Sequence, residues 1–352
     1  MATNMTSPIR LPMIDLSDPD TAAAGKSLLN AAIEHGFLYI DSRTSNFTKC
    51  DVERVFKMNK GWVGMHVETL DPENHKVGIR SQHLCLPYWL TKRGDFKEAL
   101  NIGELNDGKF QQALPPTLLS QEKEIAHFTR LCNETCAQIL KLLSQGLEMP
   151  ENFFTSRHDP SKGPTGNSLR LLFYPSDVSS FRPEKDIRAG AHSDYGSITL
   201  LFQYPGQPGL EILTPDQKWA PVPVYPGDLI EYPFPPILVN IGDMLSYWTN
   251  GLLRSTVHRV VFPHEMPEIS ESKPRDRYSI AFFCQPVGST ELVPVPSRLV
   301  ENHREKGNKN SNKSFVVGYG GGANSLDSDQ PRMTASEHLQ LRLNATYLNN
   351  SI

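Results

Sequence analysis

Two short apolar runs near the N-terminus, residues 11–16 and 37–40, enclose an Ala- and Leu-rich stretch with helical spacing. The runs predict strands, and Gly36 predicts the end of the helix between them, because glycine readily adopts the left-handed conformation that closes helices. Further along, apolar residues at 125, 128, 132, 139, 142 and 143 predict one long amphipathic helix ending near Gly146. Ser120 is its expected N-cap, and the helix is predicted to back a sheet.

The pattern changes between residues 168 and 286 to short β-branched and aromatic runs that Pro and Gly interrupt. The runs at 197–203, 236–241, 256–262 and 278–284 have the length and composition of strands. This part of the chain therefore predicts an all-β core.

The C-terminal part begins with polar sequence at 297–331, which contains a glycine-rich run at 318–322. A phosphate-binding loop would continue with Gly-Lys-Ser or Gly-Lys-Thr, which this run does not, so we expect a mobile loop. Thr334 and Glu337 have the spacing of a capping box ahead of Leu339, Leu343 and Tyr347, which share one face of a final helix. We divide the chain into an N-terminal α/β segment (1–116), a supporting long helix (117–166), the β-core (167–290), and a mobile loop with the C-terminal helix (291–352).

Composition narrows the choice of ligand. With 35 basic and 39 acidic side chains among 352 residues, the charge does not indicate a polyanion such as nucleic acid. The five cysteines lack CxxC spacing and are odd in number, which favours a reducing compartment. The sequence has neither a signal-peptide pattern nor the roughly 20 apolar residues of a membrane span. We expect a cytoplasmic protein that acts on a small molecule, with no nucleic acid, membrane or protein partner.

His192 and Asp194 are one residue apart, so in an extended segment they share a side. Such a pair is a weak signal among 11 histidines, and a third ligand must come from another strand. His258, in the run 256–262, is the best candidate, whereas Asp243 is expected to support a turn. Two imidazoles and one carboxylate on one face of an octahedron leave three positions for a bidentate co-substrate and dioxygen, as in non-haem Fe(II) oxygenases. We predict that His192, Asp194 and His258 are the catalytic, iron-binding residues.

Arg277 and Ser279 alternate along one predicted strand and therefore lie on one face. A guanidinium fork beside a hydroxyl suits a carboxylate, because two parallel charge-assisted hydrogen bonds fix the plane of the ligand. We expect this pair to hold the distal carboxylate of a co-substrate.

Longer segments carry a family resemblance. Residues 240–245, 249–260 and 277–283, with 11–16, 34–37, 68–72 and 94–98, resemble the isopenicillin N synthase-like family of Fe(II)/2-oxoglutarate-dependent dioxygenases. The resemblance implies a mainly β fold with flanking helices, built on a double-stranded β-helix (jelly-roll) core, and it implies Fe(II), 2-oxoglutarate and dioxygen as cofactor and co-substrates. It also implies that Tyr174 joins Arg277 and Ser279 in binding 2-oxoglutarate. Leu172 departs from the family pattern, since many members carry Asn there.

The resemblance further implies oxidation of a small organic substrate by hydroxylation, desaturation or ring rearrangement, with 2-oxoglutarate converted to succinate and carbon dioxide. Two alternatives stay open. One is a 2-oxoglutarate-independent oxidase of the same family, in which the matching Arg and Ser hold a substrate carboxylate. The other is an inert metal-binding sensor or scaffold. The sequence does not name the substrate, and the breadth of the family suggests specialised metabolism in a fungus.

Overall fold

The computed structural model describes residues 7–18, 20–63, 97–106, 108–176, 187–227, 231–262, 276–309 and 332–347. The family segment at 68–72, most of the segment at 94–98, and the glycine-rich run at 318–322 lie outside the described residues. The described strands, in chain order, are β1 (Met13–Ile14), β2 (Phe37–Ile40), β3 (Glu98–Ile102), β4 (Leu105–Asn106), β5 (Lys109–Phe110), β6 (Ser168–Tyr174), β7 (Ala189–His192), β8 (Ile198–Gln203), β9 (Leu210–Leu213), β10 (Trp219–Pro221), β11 (Ile237–Ile241), β12 (His258–Val260) and β13 (Arg277–Cys284). The α-helices are α1 (Thr21–Glu34), α2 (Lys49–Val63), α3 (Glu122–Gly146), α4 (Asp243–Trp248), α5 (Arg298–Lys309) and α6 (Ala335–Tyr347).

Two sheets form the core. The larger has the order β1-β2-β11-β8-β13-β6-β3 and the smaller β10-β9-β12-β7, and every pairing but β1 with β2 is antiparallel. One buried cluster joins side chains of both sheets, among them Leu172, Leu238 and Ala281 with Leu210 and Val260. The sheets therefore face each other, and the predicted double-stranded β-helix core with flanking helices is confirmed.

The other face of the large sheet packs against α1, α2 and α3. Because side chains alternate along a strand, one set faces the second sheet and the other faces the helices. Leu200, Phe202 and Phe282 face the helices, and the ring of Phe202 lies 5.0 Å from that of Phe128 in α3, centroid to centroid. A Cβ on Gly146 of α3 would lie 2.5 Å from the carbonyl oxygen of Gly25 in α1. These two helices thus approach each other closely only because both positions are glycine.

The predicted helix ends are partly right. Helix α1 ends before Gly36, which has a φ of 67° and donates its N–H to Ala31 O, as expected. The expectation for Ser120 is wrong, because a 3-10 turn over Pro116–Gln121 contains it and α3 begins only at Glu122. The polar stretch 297–331 is expected as a loop, yet α5 occupies its first part.

The predicted capping box of α6 is present, since Thr334 and Glu337 exchange side-chain and backbone hydrogen bonds. Ala335 and His338 of α6 are buried, and Leu339 is partly buried and packs against the main core. None of the described helices has the length and apolar character needed to cross a membrane. The division of the chain into four segments stays a prediction.

Candidate metal centre and co-substrate site

His192, Asp194 and His258 lie close together on the smaller sheet and the turn that follows β7. His192 ends β7, His258 begins β12, and the two are directly paired across these strands with ring centroids 4.4 Å apart. Asp194 follows in the turn after β7, and one ligand atom from each of the three residues lies within 4.8 Å of the others. Among the described residues this is the one group of three or more His, Cys, Asp or Glu side chains that could share an ion.

Backbone carbonyls orient both imidazoles. His192 Nδ1 lies 2.7 Å from Gly190 O, and His258 Nδ1 lies 3.1 Å from Thr256 O. An Nδ1–H that donates to a carbonyl leaves Nε2 as the lone-pair nitrogen, which is the form a metal needs. Burial and the neighbouring His258 lower the pKa of His192 to about 4, so this ring is neutral near pH 7.

Two donors fix the carboxylate of Asp194. Thr199 Oγ1 donates to Asp194 Oδ2 at 2.6 Å, and Asn240 Nδ2 donates to the same oxygen at 2.7 Å. The other oxygen, Oδ1, lies 3.9 Å from His258 Nε2. Desolvation alone would raise the pKa of Asp194, but the adjacent histidines and these two hydrogen bonds hold it below its usual value. The carboxylate is therefore ionised and presents one oxygen to the histidines.

The turn that carries Asp194 rests on the start of α4. Asp243 N donates to Asp194 O at 2.7 Å, and a Cβ on Gly242 would lie 2.2 Å from Gly196 O. The buried carboxylate of Asp243 accepts hydrogen bonds from Ser193 Oγ at 3.0 Å and from a second hydroxyl, and it pairs with Arg342 of α6 at 2.7 Å. Asp243 thus supports the turn, as predicted, and is not part of the three-residue group.

Arg277 and Ser279 lie side by side on the inner face of β13, where Arg277 Nη1 donates to Ser279 Oγ at 3.2 Å. Tyr174 is directly opposite Arg277 on β6, with its ring 5.0 Å from the guanidinium carbon. Asn59 of α2 donates to the backbone oxygens of Leu172 and Ser279 and so ties these strands together from the helix side. The structure therefore brings together all three residues expected at the carboxylate clamp.

Arg277 has a buried hydrogen-bond donor that is unused in this structure and is suited to an anion. Arg277 is 1% exposed, and its Nε has no hydrogen-bond partner. Burial lowers the pKa of Arg277 from its ordinary value. An arginine guanidinium is nevertheless protonated at neutral pH. A buried guanidinium with an unused donor is unfavourable unless an anion meets it, so these residues fit a carboxylate.

Sequence reasoning missed a second buried arginine. Arg188, four residues before His192, is 1% exposed and lies over the ring of Phe262 at 4.8 Å. Burial and the positive charge of Arg277 lower the pKa of Arg188 to about 10. Sequence reasoning also missed Thr199 and Gln203, which both lie on the inner face of β8. Their polarity inside an apolar run was the available signal.

Three comparisons place the chain among known proteins. Residues 165–286 match the 2OG-Fe(II) oxygenase superfamily. A UPF0676 protein of Schizosaccharomyces pombe is 34% identical and covers 82% of this chain and 85% of its own length. The 2-oxoglutarate-dependent dioxygenase htyE of Aspergillus rugulosus is 33% identical over 72% of this chain and 68% of its own. The crystal structure of a full-length Neurospora crassa protein with alpha-KG and thymine has a TM-score of 0.68 at 25% identity, covering 96% of this chain and 97% of that one.

The chain therefore belongs to the 2OG-Fe(II) oxygenase superfamily. It is a non-haem Fe(II)- and 2-oxoglutarate-dependent dioxygenase, an oxidoreductase that uses iron, 2-oxoglutarate and dioxygen to oxidise a small organic molecule.

Proposed function

We propose that His192, Asp194 and His258 bind the Fe(II), and that Arg277, Ser279 and Tyr174 bind the distal carboxylate of 2-oxoglutarate. The assignment is supported by the location of the two groups, which both lie in the space between the two facing sheets. Thr199, which holds Asp194, is opposite Phe283, and Ser279 is four residues earlier on the same strand. The strand pairing thus places the support of the Asp194 carboxylate and the clamp on the same inner face, four residues apart along β13.

The side chains of the protein have distinct tasks in this assignment. Bound iron with 2-oxoglutarate supplies the activation of dioxygen and the electrons for it. The Nδ1–H bonds of both histidines and the two donors to Asp194 keep three ligand atoms directed at one point. Arg277 and Ser279 fix the plane and distance of the co-substrate. The apolar side chains around them, such as Leu210, Ile212 and Leu238, exclude water from the space between the sheets.

The proposed substrate is a small organic molecule of specialised metabolism. Thymine and 5-formyluracil are bound in structures of the Neurospora crassa protein, and a proline hydroxylase, buaE of Petromyces alliaceus, is 29% identical over 60% of this chain. These relatives support a compact substrate and not a polymer. A cytoplasmic location and the lack of a protein partner stay predictions.

Conversion of 2-oxoglutarate to succinate tests the proposal. We expect purified protein with Fe(II) to form succinate slowly without any other substrate, and His258→Ala to abolish this. His127→Ala, which removes a half-exposed imidazole on α3, is the matched control and keeps wild-type turnover. Oxygen uptake that needs no 2-oxoglutarate would favour the oxidase. Binding of metal without any turnover would favour the sensor or scaffold.

A further inference from the structure

Gln203 is a buried amide without hydrogen bonds. It is the last residue of β8 and is 1% exposed, yet neither its Nε2 nor its Oε1 has a partner. Buried side-chain amides in folded proteins are nearly always hydrogen-bonded, because their removal from water is otherwise uncompensated. An amide left in this state is explained if it is kept for a ligand.

The register places Gln203 at the clamp. On the inner face it is directly opposite Ser279 of β13, and Ser279 is in turn opposite Leu172 of β6. The three residues form a row across adjacent strands, with an amide on one side of the hydroxyl and an isobutyl group on the other. Arg277, the next inward residue of β13, also has a buried donor without a hydrogen-bond partner, its Nε.

We propose that Gln203 is a co-substrate-binding residue whose Nε2 donates a hydrogen bond to the distal carboxylate of 2-oxoglutarate. The inference rests on the proposed function of the clamp. The carboxylate then meets donors from two neighbouring strands, a guanidinium and a hydroxyl from β13 and an amide from β8. A neutral amide adds a donor without adding a further positive charge to those of Arg277 and Arg188. Leu172 offers no hydrogen bond, so it suits the methylene groups of the co-substrate.

The substitution Gln203→Met should change the melting temperature of the free protein in opposite directions, depending on whether the amide serves the fold or the ligand. This substitution keeps the length of the side chain and removes both polar atoms. If the amide serves the ligand, the free protein loses an unfavourable burial, and its melting temperature stays the same or rises. If the amide serves the fold through hydrogen bonds, the melting temperature falls.

The experiment is calorimetric titration of 2-oxoglutarate into Mn(II)-loaded protein, together with the melting temperature of the free protein. We expect Gln203→Met to weaken 2-oxoglutarate binding about 10-fold, the lower end of the range for the loss of one hydrogen bond to a charged group. The affinity for Mn(II) should not change. Gln203→Asn, which withdraws the amide by one methylene, should also weaken binding and provides a second variant if the first does not fold. Gln340→Met on the surface of α6 is the control and should match wild type.

The outcomes separate this inference from the proposed function. If wild type binds no 2-oxoglutarate, or Arg277→Gln binds it unchanged, the clamp itself is wrong. If wild type binds, Arg277→Gln weakens binding, and both Gln203 variants match wild type, only the role of Gln203 is wrong. A fall in melting temperature with unchanged affinity would likewise overturn it and assign Gln203 to the fold.

Discussion

At the scale of single residues, the carboxylate of Asp194 depends on two neutral donors that do not themselves bind the metal. Thr199 and Asn240 both donate to Oδ2, which leaves the ligand oxygen in one orientation. Partners of this kind set the affinity of a metal site as well as its geometry.

We therefore expect Thr199→Val, which keeps the shape of the side chain and removes the hydroxyl, to weaken Mn(II) binding about 10-fold. Thr129→Val is the matched control. Its hydroxyl is also buried, on α3, but has no hydrogen-bond partner, so its loss should leave metal affinity unchanged. Equal Mn(II) affinity of the Thr199 variant and wild type, measured by calorimetry, would contradict the role of this hydroxyl.

Arg277 supplies the second prediction at this scale. Arg277→Gln should weaken 2-oxoglutarate binding by about 1.5 to 3 kcal/mol, roughly 10- to 150-fold, because charge-assisted hydrogen bonds are lost. Arg259→Gln, which removes the guanidinium on β12 that pairs with Glu211 of β9, is the control and should bind as wild type does. A collapse of affinity for the primary substrate, with 2-oxoglutarate unaffected, would instead favour the oxidase.

Much of the site could be predicted residue by residue. His192 with Asp194, and Arg277 with Ser279, were recognisable because spacing on a strand determines which side chains share a face. His258 was the best candidate for the third ligand because it lies in a β-branched run of another strand. Gln203 and Arg188 were not, because Gln203 ends β8 and Arg188 directly precedes β7, where a polar residue is compatible with either face until the register is known. The register depends on pairing between segments far apart in sequence.

At the scale of elements, α6 is attached to the metal-bearing turn through a buried ion pair. Arg342 contacts Asp243, which also accepts a hydrogen bond from the hydroxyl of Ser193, the residue between the proposed iron ligands His192 and Asp194. Burial raises the pKa of Asp243, and the positive charge of Arg342 opposes that rise. The C-terminal helix is therefore linked to the metal centre as well as packed against the core.

Removing Arg342 should destabilise the protein because it leaves the carboxylate of Asp243 buried without its cation. We expect Arg342→Met to lower the free energy of unfolding by about 3 kcal/mol. The double variant Arg342→Met/Asp243→Asn should recover part of this loss, since the remaining group is neutral. Urea unfolding of the three proteins measures both effects. A single variant as stable as wild type would show that the ion pair does not anchor α6.

Elements were predictable where apolar periodicity was strong. Strands β8, β11 and β13 lie within one residue of the predicted runs, whereas β12 is shorter than its run. Helix α5 was missed because its sequence is mostly polar and only Val300 among its described side chains is buried. Its start is set by tertiary contact: Ser297 donates to Leu147 O, and Ser297 O accepts the N–H of Glu301. No local pattern contains that information.

At the scale of the whole molecule, buried neutral histidines make stability depend on pH. Burial lowers the pKa of His158 to about 4, and burial with the nearby Arg342 does the same for His338. Burial keeps the His158 ring neutral; its Nδ1 lies 2.8 Å from Phe154 O and its Nε2 2.9 Å from Ser197 Oγ, and the Phe154 carbonyl only partly offsets the lowering of the pKa. The unfolded chain, with an ordinary histidine pKa near 6.5, takes up these protons first.

Stability should therefore fall as pH drops below about 6.5 and should continue to fall until about pH 4. Between pH 7 and 5.5 each of the two histidines should cost about 1 kcal/mol of unfolding free energy. His158→Gln cannot titrate, so its stability should change less over this interval by that amount. Urea unfolding at the two pH values tests this, and an identical pH dependence for variant and wild type would refute it.

The architecture as a whole was predictable from the family resemblance, and the alternation of strand residues agreed with it. The relative positions of the proposed metal centre and the proposed clamp could not be predicted in the same way. An apolar cluster lies between the two sheets beside the proposed metal centre and the proposed clamp, and that arrangement emerges only when β7 and β12 of one sheet face β8 and β13 of the other.

The central claim is that one ligand joins the metal end to the clamp end. The most direct test is the affinity of 2-oxoglutarate for the protein with and without Mn(II), measured in wild type, His258→Ala and Arg277→Gln. We predict that the metal strengthens 2-oxoglutarate binding in wild type, that this gain disappears in His258→Ala, and that Arg277→Gln weakens binding while metal affinity is retained. Binding of 2-oxoglutarate that is the same with and without metal in wild type would contradict the account.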